Sequence, residues 1–262
     1  LGTDYIDIYY LHKEDHSTPL AETVRAMGEL IQQGKVRYFG VSNYRAWRVA
    51  EICNICDDLG IARPVASQPY YNAMNRMPEV EHFPACHYYG LGIVPYSPLA
   101  RGVLTGKYAP DAPPDKDTRA GRADKRMMQT EWRTESLEIA QQIRARARTR
   151  GMSAVQFAIN WVLANPIVDS TIVGPRTAEQ MRDYVGALEH GFDADLAFDQ
   201  HGGRLCRHSC LCTRAVRDVD AIDAGIFEQS DRIERSLSVT ALRRQHLDRR
   251  HELTAGDLCR PA

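Results

Sequence analysis

No stretch of this chain is apolar for long enough to cross a membrane, and its amino terminus has no basic segment leading into a signal-like apolar run. The sequence therefore reads as cytoplasmic, with no expected membrane contact. Net charge is nearly nil: 33 Lys and Arg against 34 Asp and Glu leave -1, so no global field recruits nucleic acid or an anionic surface. The dinucleotide fingerprint Gly-x-Gly-x-x-Gly is missing. Seven cysteines form no dense framework, which fits buried thiols in a reducing compartment better than a stapled secreted fold. Lysine, tyrosine and tryptophan all vanish beyond residue 190, while arginine stays frequent and four cysteines (Cys206, Cys210, Cys212, Cys259) collect there. In that tail His201, Cys206, His208, Cys210 and Cys212 match none of the paired Cys-x-x-Cys spacings of zinc sites, so no metal centre is expected.

What the chain does have is length and alternation. Its 262 residues, 44% hydrophobic, can bury a real core as one α/β barrel or as two ordinary domains. It opens on Leu1 rather than Met and runs straight into a strand, so its front is expected to be cut. Residues 5–12 are apolar on both faces, as in a parallel strand covered by helices. Over 18–34, Leu20, Val24, Met27, Leu30 and Ile31 share a helical stripe that Gly34 ends. A strand at 36–42, a helix at 46–59, a strand at 64–69, a helix at 78–89 and a strand at 92–96 follow. Four strands alternating with helices predict βα units and a parallel sheet.

The segment 92–108 then runs from that strand into a turn shaped by Pro98 and Gly102, where Tyr96 offers a flat ring beside Ser97 and Arg101. Free backbone amides in such a turn suit an anion, and the ring beside them suits a nucleotide. Taken alone, the same loop is plain strand-to-helix punctuation. Residues 109–129 show no apolar period and read as a long loop, a candidate lid. Helices are expected at 131–150 and 153–165, the second capped by Ser153. A fifth strand, 170–173, leads through Gly174-Pro175-Arg176-Thr177 into a helix at 178–189, a strand, turn and helix start that would hold phosphate. Residues 230–250 have helical propensity with many charges, as in a solvated or partly disordered helix.

Five motifs in this order carry a resemblance. They are Asp4-Tyr5-Ile6-Asp7 through Leu11-His12, Gly34-Lys35-Val36-Arg37 through Asn43, Gln68-Pro69-Tyr70-Tyr71-Asn72, Pro95-Tyr96-Ser97-Pro98-Leu99 through Gly102, and Gly174-Pro175-Arg176-Thr177 through Gln180. Residues 1–190 resemble the second half of an aldo-keto reductase, the NAD(P)H-dependent (β/α)8-barrel family. The proline-rich fourth motif, followed by Leu104-Thr105-Gly106-Lys107-Tyr108, resembles its potassium-channel-β-like bacterial branch. The implied fold is an incomplete TIM barrel, strands 4 to 8 with their helices, followed by an atypical tail over 191–262. This family needs no Gly-x-Gly-x-x-Gly turn.

The resemblance implies roles for particular residues. His12, at the carboxyl end of its strand, would hydrogen-bond a substrate carbonyl and the developing alkoxide. Asn43 and Gln68, assisted by Ser42, would hold the nicotinamide carboxamide. Tyr96 would stack on that ring, and Ser97, Leu99 and Gly102 would meet the pyrophosphate. Gly174, Arg176 and Thr177 would grip an adenosine 2′-phosphate, which favours NADPH over NADH. Gln180 matches an adenine-side contact, whereas Tyr184 stands where relatives often carry Asn. Without the resemblance, His12 is as readily structural, Asn43 a turn residue and Gln68 a surface side chain.

The family draws its catalytic Asp, proton-donating Tyr and supporting Lys from βα units that precede this segment, so only His12 of that tetrad is present. The chain is expected to lack reductase turnover and, with five strands of eight, to leave two open sheet edges. Phe192-Asp193-Ala194-Asp195 still resembles the family; beyond about residue 195 a reading-frame error or a divergent extension is expected. Four functions compete: an enzyme reducing aldehydes or ketones as small-molecule substrates, a nucleotide-binding regulatory subunit, an inactive pseudogene product, and a phosphate-binding barrel isomerase. The last accounts for the final glycine turn but not for Ser42, Asn43 and Gln68.

Overall fold

The computed structural model describes residues 2–191. The resemblance at 192–195, the candidate metal ligands at 201–212 and the helix expected at 230–250 lie outside the described residues. Four parallel strands, β1 (Ile6–Leu11), β2 (Val36–Ser42), β3 (Ala66–Gln68) and β4 (Gly92–Ile93), form one sheet in sequence order. Helices α1 (Leu20–Gln32), α2 (Ala46–Leu59) and α3 (His82–Tyr89) make the crossovers that parallel pairing requires. Phe39 and Val41 of β2 are fully buried against Val49, Ile52, Cys53 and Cys56 of α2, while Val24 and Met27 bring α1 onto the same core. This is the α/β parallel architecture that the alternation predicts.

Local signals explain most element ends. After α1, Gly34 takes φ 71°, and the amides of Gly34 and Lys35 return to Ile31 O and Leu30 O, closing the last turn. The helix expected at 46–59 is α2, ended by Gly60 at φ 65°. Ser153 caps α6 (Ala154–Leu163) in a reciprocal box with Gln156.

Three expectations need correction. The strand expected at 92–96 stops at Ile93, and Tyr96 rejoins through isolated bridges to Tyr70 and Ile172; Pro95 between them has no amide hydrogen to offer a ladder. The fifth strand, 170–173, is one bridge from Ile172 to Tyr96, so the described sheet has four strands and not five. The cause is local: Asp169 Oδ2 accepts the Ile93 amide at 2.8 Å, replacing a backbone partner with a side chain. The loop expected over 109–129 contains α4 (Lys125–Thr130), capped by Asp124 and anchored by fully buried Met127. One buried side chain in six residues leaves no readable period. Beyond it α5 (Thr134–Thr149) and α6 enclose a second core with Leu104, Met127 and Phe157, and α7 (Ala178–Gly186) closes the described part.

Candidate functional site

Parallel register sets the carboxyl ends of the strands side by side: Leu11 pairs with Val41, Ser42 with Gln68 and Ser67 with Ile93. That edge is where ligands of open α/β sheets are held. Asn43 stands at its centre with φ 57°, a left-handed conformation that asparagine tolerates better than most side chains. Its Nδ2 donates to His12 O at 2.9 Å and to Ser42 Oγ at 3.0 Å, and its Oδ1 accepts from the Tyr96 hydroxyl at 2.7 Å. Ser42, fully buried, donates its hydroxyl to Gln68 O at 2.8 Å. His12, Ser42, Asn43, Gln68 and Tyr96 thus belong to one hydrogen-bonded edge.

The loop after β1 is strapped to the start of α2, which places His12. Glu14 Oε1 accepts the Arg45 amide at 2.6 Å, and buried Arg48 meets His16 Nδ1 at 2.8 Å and Asp15 O at 3.3 Å. His12 is exposed and lines a cavity of about 310 Å³ with Tyr10, Lys13 and Tyr44. Beside it, burial raises the Tyr10 phenol, an effect that the nearby Gln68 amide partly offsets.

Four residues of the turn after β4 have positive φ: Ser97 at 62°, Ala100 at 46°, Arg101 at 54° and Gly102 at 98°. Left-handed residues in a turn bring successive backbone amides toward one side, the arrangement from which anion cradles are built, although here the Ala100 amide already donates to Ser97 O. Asn72, with no exposed surface, holds this turn by donating Nδ2 to Ser97 O at 3.1 Å. Two expected pyrophosphate contacts are already engaged within the turn. The Gly102 amide donates to Leu99 O at 2.8 Å, and Ser97 Oγ accepts from the Arg101 amide at 3.3 Å. Tyr96 is half-buried, its ring centroid 5.5 Å from that of Tyr70.

Arg176, Thr177 and Gln180 form a separate local unit at the start of α7. Thr177 caps the helix by accepting the Gln180 amide at 3.2 Å, and Gln180 Oε1 accepts the Arg176 amide at 2.7 Å. Among the described residues no hydrogen bond ties this unit to Asn43; the sheet reaches it through the Ile172–Tyr96 bridge, four residues from Arg176 and so within about 14 Å of extended chain. Gly174 is exposed, with open space around it and no positive φ, so its conformation does not demand glycine.

Two contributors carried no sequence signal that singled them out. Asn72 closes the third motif and heads a turn, a feature that asparagine signals: its Oδ1 accepts the Met74 and Asn75 amides at 3.0 and 3.1 Å. Glu131 is an isolated acid in a charged stretch, yet it is buried and accepts from the Tyr70 hydroxyl at 2.5 Å. Cys53, Cys56 and Cys86 are buried and free, as expected for structural thiols. Burial pushes Cys53 up to about 12 and both Cys56 and Cys86 up to about 11, which keeps them protonated and unreactive. No cluster of three His, Cys, Asp or Glu side chains suited to a metal occurs among the described residues.

The profile of the Aldo/keto reductase family matches residues 1–197. The chain belongs to the aldo/keto reductase family. It is 34% identical over 201 residues to an aldo-keto reductase of Pseudocercospora fijiensis, covering 73% of this chain and 67% of that protein. A probable voltage-gated potassium channel subunit beta of Oryza sativa is 36% identical over 190 residues, 72% of this chain and 58% of the relative. Aflatoxin B1 aldehyde reductase member 4 of Homo sapiens is 34% identical over 204 residues, 71% and 60% of the two chains. The chain therefore spans about three fifths of the length of these last two aldo/keto reductase relatives.

Proposed function

We propose that this chain is the coenzyme-holding part of an NADPH-dependent aldo-keto reductase, an oxidoreductase that reduces aldehydes or ketones to alcohols. The observation that carries the reading is Asn43, which joins the ends of β1 and β2 to the Tyr96 hydroxyl through its two amide atoms. The edge offers the donor set a nicotinamide dinucleotide needs: amides for a carboxamide, a flat ring, a left-handed turn for phosphates and an exposed guanidinium. Bound there, the coenzyme supplies hydride to a small carbonyl substrate. The residues around it hold and orient. Asn43 Oδ1 keeps a second lone pair for a ligand amide while accepting from Tyr96, and Ser42 fixes the Asn43 rotamer by accepting from Nδ2.

His12 hydrogen-bonds the substrate carbonyl at the mouth. Among the described residues none is given the part of the proton-donating tyrosine, and the role read for this chain is to bind and orient the coenzyme. In this reading residues 1–190 are the later βα units of a (β/α)8 barrel, the last strand reduced to the bridge at Ile172, and 191–262 are an atypical tail. The buried protonated thiols suit a reducing, cytoplasmic setting. The likeness to proteins named potassium channel β subunits supports a second reading, in which occupancy by nucleotide rather than turnover is what matters.

Arg176 tests the choice of coenzyme. A charge-assisted contact to the 2′-phosphate contributes about 1.5–3 kcal/mol, so Arg176→Met is expected to weaken NADPH about ten- to hundredfold and leave NADH unchanged. Fluorescence titration with both nucleotides measures this. An equal fall for the two would remove Arg176 from the phosphate, and no saturable binding of either by the unaltered chain would remove the reductase assignment.

A further inference from the structure

Glu131 is the one buried carboxylate among the described residues, 3% exposed. It is held rigidly from both sides. Met127, fully buried, receives the Glu131 and Trp132 amides on its carbonyl at 2.9 and 3.0 Å, and the Trp132 ring packs edge-on against Tyr108, centroids 5.1 Å apart. The carboxylate Oε1 accepts from the Tyr70 hydroxyl and faces Arg101 Nε at 3.7 Å, an ion-pair distance too long for a hydrogen bond. Arg101 Nε is itself buried and makes no hydrogen bond. Its backbone, at φ 54°, lies inside the left-handed turn read above as the phosphate cradle.

A buried carboxylate needs a compensating charge, and the cation recorded beside Glu131 is Arg101. Arg101 belongs to the turn over 97–102 itself, and Lys107 Nζ stands beside Gly102 at its far end, so an anion settling there would have both cations in reach. The pair also acts on the Tyr96 hydroxyl, whose proton affinity is raised chiefly by burial, lowered by Arg101 and Arg126, and raised by Glu131. We propose that Glu131 is a resident counter-anion that competes with a phosphate-bearing ligand for Arg101 and thereby sets the affinity of the coenzyme turn. The proposal rests on the coenzyme reading given above. Its consequence is weaker holding and faster exchange of nucleotide than the turn alone would give.

Calorimetric titration of the full chain with NADPH and, separately, with inorganic pyrophosphate tests the competition. Glu131→Gln keeps the size and the acceptor for Tyr70 while removing the charge, and is expected to bind both probes about five- to tenfold more tightly, the scale of one partly exposed ion pair. Arg101→Gln should bind both more weakly, and adding Glu131→Gln to it should give no gain, since the two act as one unit. If Glu131→Gln does not fold, Glu131→Asp withdraws the charge by one methylene and should bind about two- to threefold more tightly. Unchanged or weaker binding in the folded Glu131 variant, with the unaltered chain binding normally, overturns the competition and leaves the coenzyme reading in place. Failure of the unaltered chain to bind either probe overturns both.

Discussion

Asn43→Ala is expected to lower NADPH affinity about 30- to 100-fold while the chain stays folded. The substitution removes three hydrogen bonds, to His12 O, Ser42 Oγ and the Tyr96 hydroxyl. Each contributes about 1 kcal/mol net, and alanine bears an added cost near 1 kcal/mol at φ 57° that asparagine largely escapes. Those losses fall on the free protein as stability, while the lost Oδ1 contact to the coenzyme amide and the freed Tyr96 ring are expected to cost about 2–3 kcal/mol in binding. Asn43→Asp separates the causes. Aspartate tolerates the same backbone and still accepts from Tyr96, but cannot donate to His12 O or Ser42 Oγ, so it should keep its melting temperature better than alanine and still bind poorly. Unaltered NADPH affinity in both variants would take Asn43 out of the site.

The largest effect on stability is expected at Gly40, in the middle of β2. A Cβ there would lie 2.6 Å from Tyr10 Cε1 and 2.9 Å from Ala66 O. The tyrosine ring can shift, but the carbonyl belongs to β3 and cannot move without opening the β2–β3 ladder that aligns Ser42 with Gln68. Overpacking of this kind costs about 1–3 kcal/mol, which for a domain of this size lowers the melting temperature by about 2–4 °C for each kcal/mol. Gly40→Ala should therefore melt up to about 10 °C lower, with NADPH affinity falling alongside. Adding Tyr10→Ala relieves one clash and leaves the other, so recovery should be partial. A Gly40→Ala protein as stable as the original would show that the strands are not spaced as described.

Legibility in the sequence followed the physics of each element. The helix expected at about 46–59 was readable because an apolar stretch there is followed by Gly60, a residue suited to the left-handed stop it adopts. The last strands ran short because Pro95 offers no amide and Asp169 takes the Ile93 amide, and no period-two pattern reveals the second exchange. Helix α4 stayed hidden because its core contact is one residue, Met127. At the site, motif order placed His12, Ser42, Asn43, Gln68 and Tyr96 on one edge, since each follows or ends a parallel strand. What motif order did not convey is occupancy: the Gly102 amide and the Gln180 side chain already serve their own turns. Glu131 was unreadable because a carboxylate in a charged segment is ordinarily solvated, and only tertiary packing puts it beside Arg101.

The central claim is that the carboxyl edge of this sheet, from Asn43 through Tyr96 to Arg176, is a single nucleotide-binding surface. Amide chemical-shift mapping of the chain titrated with NADPH tests it most directly. The account predicts saturable shifts gathered at Asn43, Gln68, residues 96–102 and the Arg176–Gln180 turn, with α3 and the outer face of α5 unmoved. Shifts gathered on those helices instead, or a spectrum that NADPH leaves unchanged, would contradict it.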